Sequence, residues 1–253
     1  MGKFTDRRGE INFNKYGSKL VVVEYKNAND IVVEFENGYK VHTTYQNFKK
    51  GNVKSVYDKS VFNVGYIGEG NYKPSINSKD THCYSLWVQM LRRCYDKKLQ
   101  EKQPTYKDCK VVNEWHNFQN FAQWYNDNYY KIEGKQMQLD KDILIKGNKT
   151  YSPETCVFVP KNINVLFVKA DTRRGKFPIG VSYCKHNQRY KSECHDGTGT
   201  KIFLGYSKTP TDAFEIYKSY KELVIKDVAN DYLGKIPMKL YRAMIAYDVE
   251  IDD

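Results

Sequence analysis

The stretch MQLDKDILIKGNKTYSPETCVFVPKNIN, residues 137–164, decides how this chain is read. It reads as a strand, a polar loop, a second strand and the start of a helix. A plain hairpin closed by KGNKTYSP accounts for its loop residues, because Asp, Lys and Asn belong in turns for turn reasons alone. The same layout also gathers the parts of a metal-dependent hydrolytic site. Such a site needs a divalent metal that holds a phosphate and stabilises a departing oxygen. It needs a base, usually His, that activates water on the other side. One or two oxygen or nitrogen ligands come from the first strand and from the helix after the second.

The rest of the chain sets bounds. Its 253 residues suit two or three domains and can bury a real core. The net charge is +11, with 22 Tyr. Basic proteins of this kind meet nucleic acid, since neutralising phosphates releases counterions, and Tyr can stack on bases or fill cores. Charge of either sign also simply keeps a protein soluble. No apolar run reaches the ~18 residues of a membrane span. The start MGKFTDRRGEINF lacks the apolar core of a secretory signal, which points to the cytoplasm. The six Cys form no C-x-x-C pair and read as free, buried thiols. Cys94, Cys109, Cys156 and His82 lack the spacing of a zinc site, so zinc is not expected.

Three segments follow along the chain. Residues 1–72 read as all-β: KLVVVEY (19–25), DIVVEFE (30–36) and YKVHTTY (39–45) are short β-rich runs, with Asn37-Gly38 as a tight turn. Short strands with tight turns imply a small barrel or a strongly bent sheet. Residues 65–80 read as a connection. Residues 81–168 begin with two amphipathic helices, 81–98 and 113–130, whose Trp87, Met90, Leu91, Trp115 and Phe118 read as core. The hairpin at 137–164 follows. Residues 172–253 offer strand runs at 178–184, 189–195 and 201–207, then a helix that Thr209 caps with Pro210 in its first turn. Ala213, Tyr217, Tyr220, Val224 and Val228 give that helix one apolar face. The tail IPMKLYRAMIAYDVEIDD reads as an extra helix with an acidic end. The fold class expected is α+β: a small N-terminal β-barrel, a ββα middle segment with two helices, and a C-terminal three-stranded sheet packed on a helix.

Asp140-Lys141, Gly147-Asn148, Pro153-Glu154-Thr155, Cys156-Val157-Phe158, and Asn162 or Asn164 fall in the order of a known pattern. Upstream, WVQMLRRCY (87–95), CKVVNEWHNF (109–118) and LDKD (139–142) extend it. Together they resemble the HNH homing-endonuclease family, especially its phage-encoded members, over roughly residues 84–167. The resemblance implies Mg²⁺ bound by Asp140 and by Asn164 on the return helix, with Asn148 bracing the loop. Lys141 takes the place of the histidine base, and this is a departure. An ammonium is a poor base unless burial or nearby cations depress its pKa. His116 can stand in only if folding brings it across, and Asp142 points to the other face of a regular strand. Lys141 can instead hold a phosphate as a point charge. If the protein is phage-encoded, its compartment is the bacterial host cytoplasm.

PIGV (178–181), RYK (189–191), LGYSKT (204–209) and AFEIY (213–217) resemble the DNA-binding domain of the plant APETALA and ethylene-response-factor proteins. In that fold the sheet enters the major groove and the helix supports its back. The resemblance implies double-stranded DNA as partner. Alternation puts Arg189, Lys191 and Glu193 on one face and Tyr190, Ser192 and Cys194 on the other, toward the helix. Lys185 and Lys201 flank the exposed side, and Arg173, Arg174 and Lys176 can track a phosphate backbone. Exposed Arg can read guanine and Glu can accept from cytosine. Between residues 1 and 72, the order of strand, D-x-V-V-x-F-x-N-G, strand and F-K-K-G resembles small Tudor-like barrels. That resemblance implies a docking site for protein or nucleic acid. A non-catalytic DNA-binding regulatory or counter-defence protein, and an adaptor docking through the barrel, stand as the alternatives to an endonuclease.

Overall fold

The structure, a computed structural model, describes residues 5–168 and 176–251. The chain forms two compact units, Met1–Asp127 and Asn128–Asp253, both mixing helices with antiparallel sheets. The segment read above as 81–168 is therefore divided: its helices belong to the first unit and its hairpin to the second.

In the first unit β1 (Ile11–Phe13), β2 (Lys19–Asn27), β3 (Asp30–Phe35) and β4 (Lys40–Thr43) form an antiparallel meander in chain order. Leu20 and Val22 of β2 and Ile31, Val33 and Phe35 of β3 bury one face, as the period of two requires. The expected closed barrel is not what forms. Among the described residues β1 and β4 are outer strands that do not pair with each other. The physical reason follows β4: the chain turns into a short helix, α1 (Tyr45–Lys49), capped by Thr44, instead of a closing strand. Phe48 of α1 fills the sheet's concave side, and Asn12 Nδ2 of β1 donates to the Phe48 carbonyl at 2.6 Å. In the Asn37-Gly38 turn only Gly38 takes a positive φ, +82°.

The stretch at 65–80 is ordered. It contains the small hairpin of β5 (Ser75–Ile76) and β6 (Lys79–Asp80), turned by Asn77 and Ser78 at positive φ. Next come α2 (His82–Tyr95), capped by Thr81, and α3 (Lys97–Lys102), capped by Asp96. The chain continues through β7 (Lys110–Val111) to α4 (Phe118–Asn128). Asp96 breaks the first expected helix because its carboxylate caps the N–H groups of Lys98 and Leu99. Trp87, Met90, Leu91, Trp115 and Phe118 are buried, and Trp87 Nε1 donates to the Trp115 carbonyl at 2.7 Å.

In the second unit β8 (Met137–Asp140) and β10 (Val157–Pro160) pair antiparallel, with Asp140 opposite Val157 and Met137 opposite Pro160. The short strand β9 (Thr150–Tyr151) lies in the loop between them, and α5 (Lys161–Asn164) leaves β10 directly. The three-stranded sheet runs β11 (Val181–Cys184), β12 (Arg189–His195), β13 (Lys201–Ser207), in that order and antiparallel. Behind it lies α6 (Pro210–Asp231), whose Thr209 cap accepts from the Asp212 N–H. The buried face of α6 is wider than one stripe and includes Phe214, Ile225 and Ala229 beside Ala213, Tyr217 and Val224.

Gly180 is the hinge of this packing. Its φ is +76°, and a β-carbon there would stand 2.0 Å from the Tyr217 ring. Glycine alone allows α6 to approach the sheet so closely. Val157, Val159 and Ile163 of the hairpin share one buried cluster with Val181, Cys194, Tyr217 and Ile225. The tail forms α7 (Met238–Ile245) and joins the same cluster through Leu240 and Met244. Its acidic end reaches the hairpin loop, where Lys146 pairs with Glu250 at 2.8 Å. Among the described residues no helix is long and apolar enough to cross a membrane.

Candidate functional site

The candidate residues of the second unit fall in two places: the hairpin between β8 and β10, and the open face of the sheet. In the hairpin, Gln138 and Asp140 share the half-exposed face of β8, while Met137 and Leu139 point into the core. β8 ends at Asp140, and the backbone turns there. Asp140 Oδ1 accepts from the N–H groups of Asp142 and Ile143, at 2.9 and 2.8 Å. Burial, and then the neighbouring Asp142 carboxylate, push the Asp140 carboxyl up to about 6, although the two N–H bonds oppose this.

Asn148 ties the loop together. Its Nδ2 donates to the carbonyls of Lys141 and Thr150, both at 2.7 Å, and its Oδ1 accepts from the Thr150 N–H. Asn164, the expected ligand, and Asn162, the other asparagine of the motif, part company on α5. Asn164 Nδ2 donates to Gln138 Oε1 of β8 at 2.7 Å. Asn162 Oδ1 instead accepts from the Tyr232 hydroxyl at the end of α6. Asn164 is thus the one that reaches the strand carrying Asp140.

In donor type alone, Asp140 and Asn164 suit a hard cation. Asp140 Oδ1 is engaged by backbone, Asn164 donates through nitrogen, and each side chain keeps an oxygen as an acceptor. One carboxylate and one amide oxygen suit an ion such as Mg²⁺, which retains waters and takes its other ligands from a phosphate. Among the described residues no three His, Cys, Asp or Glu side chains gather as a metal cluster.

The base is not where a histidine base would be expected to work. Lys141 is 7% exposed. Its Nζ lies 3.2 Å from Asp142 Oδ2 and 5.8 Å from the centre of the Tyr151 ring. Asp142 itself is exposed, since the backbone turns after Asp140 instead of continuing as a regular strand. His116 belongs to the first unit, where its Nε2 lies 3.0 Å from the Tyr95 hydroxyl. Burial, and then Lys59, hold its pKa below the usual imidazole value.

On the sheet, β12 alternates as the sequence implies. Ser192 and Cys194 are buried against α6, while Arg189, Lys191 and Glu193 face outward. Glu193 is already engaged: Lys191 and Lys201 both bind its carboxylate. Burial would raise the Glu193 pKa, but these two lysines outweigh it and hold the carboxyl below its ordinary value. Lys185 is exposed in the turn before β12, and Lys176 is exposed beside the Phe177 ring. Arg173 and Arg174 lie outside the described residues.

Two residues of this face escape the sequence reading. Phe203 is 51% and Tyr206 39% exposed, and their rings lie 5.0 Å apart. Phe203 stands opposite Glu193 and Tyr206 opposite Lys191, with the register shifting between them. Simple alternation would place Phe203 and Tyr206 on opposite faces. The extra residue at Leu204-Gly205 makes a bulge, with Gly205 at φ +143°, and restores both to one side. The Leu-Gly pair inside a strand was the available signal.

Comparison with known proteins adds no relative: no family model, no curated protein and no solved structure matches this chain.

Proposed function

We propose that this protein binds double-stranded DNA through the open face of β11–β13, and that the hairpin beside the sheet derives from a metal-dependent HNH-type endonuclease. The observation that carries the reading is the make-up of that face. Arg189, Lys191 and Lys201 stand there with exposed Phe203 and Tyr206, on a sheet stiffened from behind by a 22-residue helix. Cations meet phosphates and guanine edges, and exposed rings meet thymine methyls or sugars. The Lys191–Glu193–Lys201 chain orients both ammonium groups before any partner arrives.

In the hairpin Asp140 and Asn164 would hold Mg²⁺, which supplies charge stabilisation to a phosphate and its leaving oxygen. Asn148 fixes the loop that presents Asp140. Asp142, exposed two residues later, is paired with Lys141 at 3.2 Å. A second reading, a DNA-binding protein that no longer cleaves, is favoured by one specific observation. The hairpin has no histidine, and the lysine in its place is buried against Asp142 and Tyr151.

Two assays on one preparation separate these readings. The first is a gel shift on random duplexes in EDTA across a salt series. The second is supercoiled-plasmid nicking in Mg²⁺ or Mn²⁺, beside an Asp140→Ala control. A shift that weakens steeply with salt and is lost in Arg189→Ala/Lys191→Ala supports the sheet as the interface. Nicking that vanishes in Asp140→Ala supports a working hairpin, and a shift without nicking favours the non-cleaving form. No shift with any duplex would overturn the DNA reading and turn attention to a protein partner on the N-terminal sheet.

A further inference from the structure

The second unit also holds a cleft of about 960 Å³ that meets the sheet's open face at Lys201 and Glu193 and extends beyond it. Its described walls include Lys161 and Leu166 from the α5 region, Ile179 before β11, Lys221 of α6, Lys135 and Lys201. Four ammonium groups therefore border one space. The single carboxylate among its described lining residues is Glu193, which Lys191 and Lys201 already bridge. Among its described lining residues lysines outnumber carboxylates, although Asp196, Asp227 and Asp231 line the adjoining cleft that shares Lys135.

Lys221 is the decisive residue. It is half-buried beside Cys194, and among the described residues it has no hydrogen-bond or ion-pair partner. Burial lowers its pKa. The Cys194 thiol is pushed up by burial, stays neutral and offers no counter-charge. Lys135 and Lys161 are exposed and equally uncommitted. A desolvated ammonium without an anion is costly, and an oxyanion entering the cleft would relieve that cost. Leu166 and Ile179 offer apolar wall to whatever carries the oxyanion, in a volume typical of small-ligand sites.

We propose that this cleft is a phosphate site, in which Lys221, Lys161 and Lys135 hold a phosphate group that is either free or part of a nucleic-acid backbone. The backbone source rests on the DNA-binding reading, and the free source does not. The ordinary alternative is a lysine that lays its stem along the core and keeps its charge in water. That arrangement has no preference for phosphate.

The test uses the full chain with Lys161→Met, Lys221→Met and the double variant, since Met keeps the stem and removes the charge. One arm follows thermal unfolding while inorganic phosphate replaces chloride at constant ionic strength. A ligand of the native state raises the midpoint, so phosphate should stabilise the wild type and the gain should disappear in the double variant. The other arm measures duplex affinity across salt. Two lost phosphate contacts should weaken binding about tenfold and lower the salt slope by about 1 to 2. Loss in the first arm alone identifies free phosphate as the ligand, and loss in the second identifies the backbone. Equality of wild type and double variant in both arms overturns the proposal. If the wild type binds no duplex, the DNA reading has failed by itself and the phosphate arm alone decides. If Lys221→Met does not fold, the exposed Lys161→Met carries the same comparison.

Discussion

The hairpin at 137–164 and the sheet at 181–207 use their polar residues in opposite ways. Outside the short strand β9 the loop of the hairpin has no ladder, and side chains satisfy its backbone there. Asp140 takes two N–H groups, Asn148 takes two carbonyls and an N–H, and Thr155 Oγ1 bonds the Thr150 carbonyl. Even Lys141 is drawn inside. In the sheet, strand pairing satisfies the backbone, and the charged side chains of β12 are left facing outward. A polar residue in a loop is thus first a structural candidate, whereas one on the open face of a strand is available to a partner.

The largest effect should come from the sheet's attachment to its helix. Gly180→Ala forces a β-carbon into the Tyr217 ring at a positive φ, and should cost about 3 kcal/mol or more. Chemical denaturation measures this. A loss under 1 kcal/mol would mean that α6 can slide away and that the sheet is not rigidly backed.

Next is the hairpin brace. Asn148→Ala removes three hydrogen bonds from a half-buried loop and should cost about 2 kcal/mol. Hydrogen exchange should show faster exchange at Thr150, whose N–H loses its acceptor. Unchanged protection there would break the contrast between loop and sheet.

Behind the sheet, the Ser192 hydroxyl is buried without a partner among the described residues. Ser192→Ala should therefore stabilise the protein by about 1 kcal/mol and leave duplex binding unchanged. A loss of stability would show that the hydroxyl is bonded after all.

The smallest effect concerns Glu193. Its carboxyl is held below the ordinary 4.5 by the two lysines, after burial is overcome. Its contribution is therefore present above about pH 4.5 and fades as pH falls through the folded value. Glu193→Gln should cost about 0.5 kcal/mol at pH 7, since the lysines are partly exposed, and progressively less as pH falls through the folded value. A deficit independent of pH would assign the effect to packing rather than charge.

The sequence by itself determined the local elements. Period-two apolar runs gave β2, β3 and β12, Thr209-Pro210 gave the start of α6, and the 137–164 layout gave two strands and a helix. Each depends on neighbours a few residues apart, where propensity and capping act directly. The sequence also put Asp140, Asn148 and the basic residues of β12 forward as candidates. Their use was a tertiary matter. Whether the first four strands close depended on α1 taking the place of a further strand. Phe203 and Tyr206 reached the open face only through a bulge. What Asn164 and Asn162 each meet across space, Gln138 and Tyr232, is set only by the fold. Lys221 is an ordinary helix lysine until folding lays it half-buried against Cys194, beside two other uncommitted lysines. Charge, burial and partners are properties of the packed chain, because desolvation and opposing charges act between residues that the sequence keeps far apart.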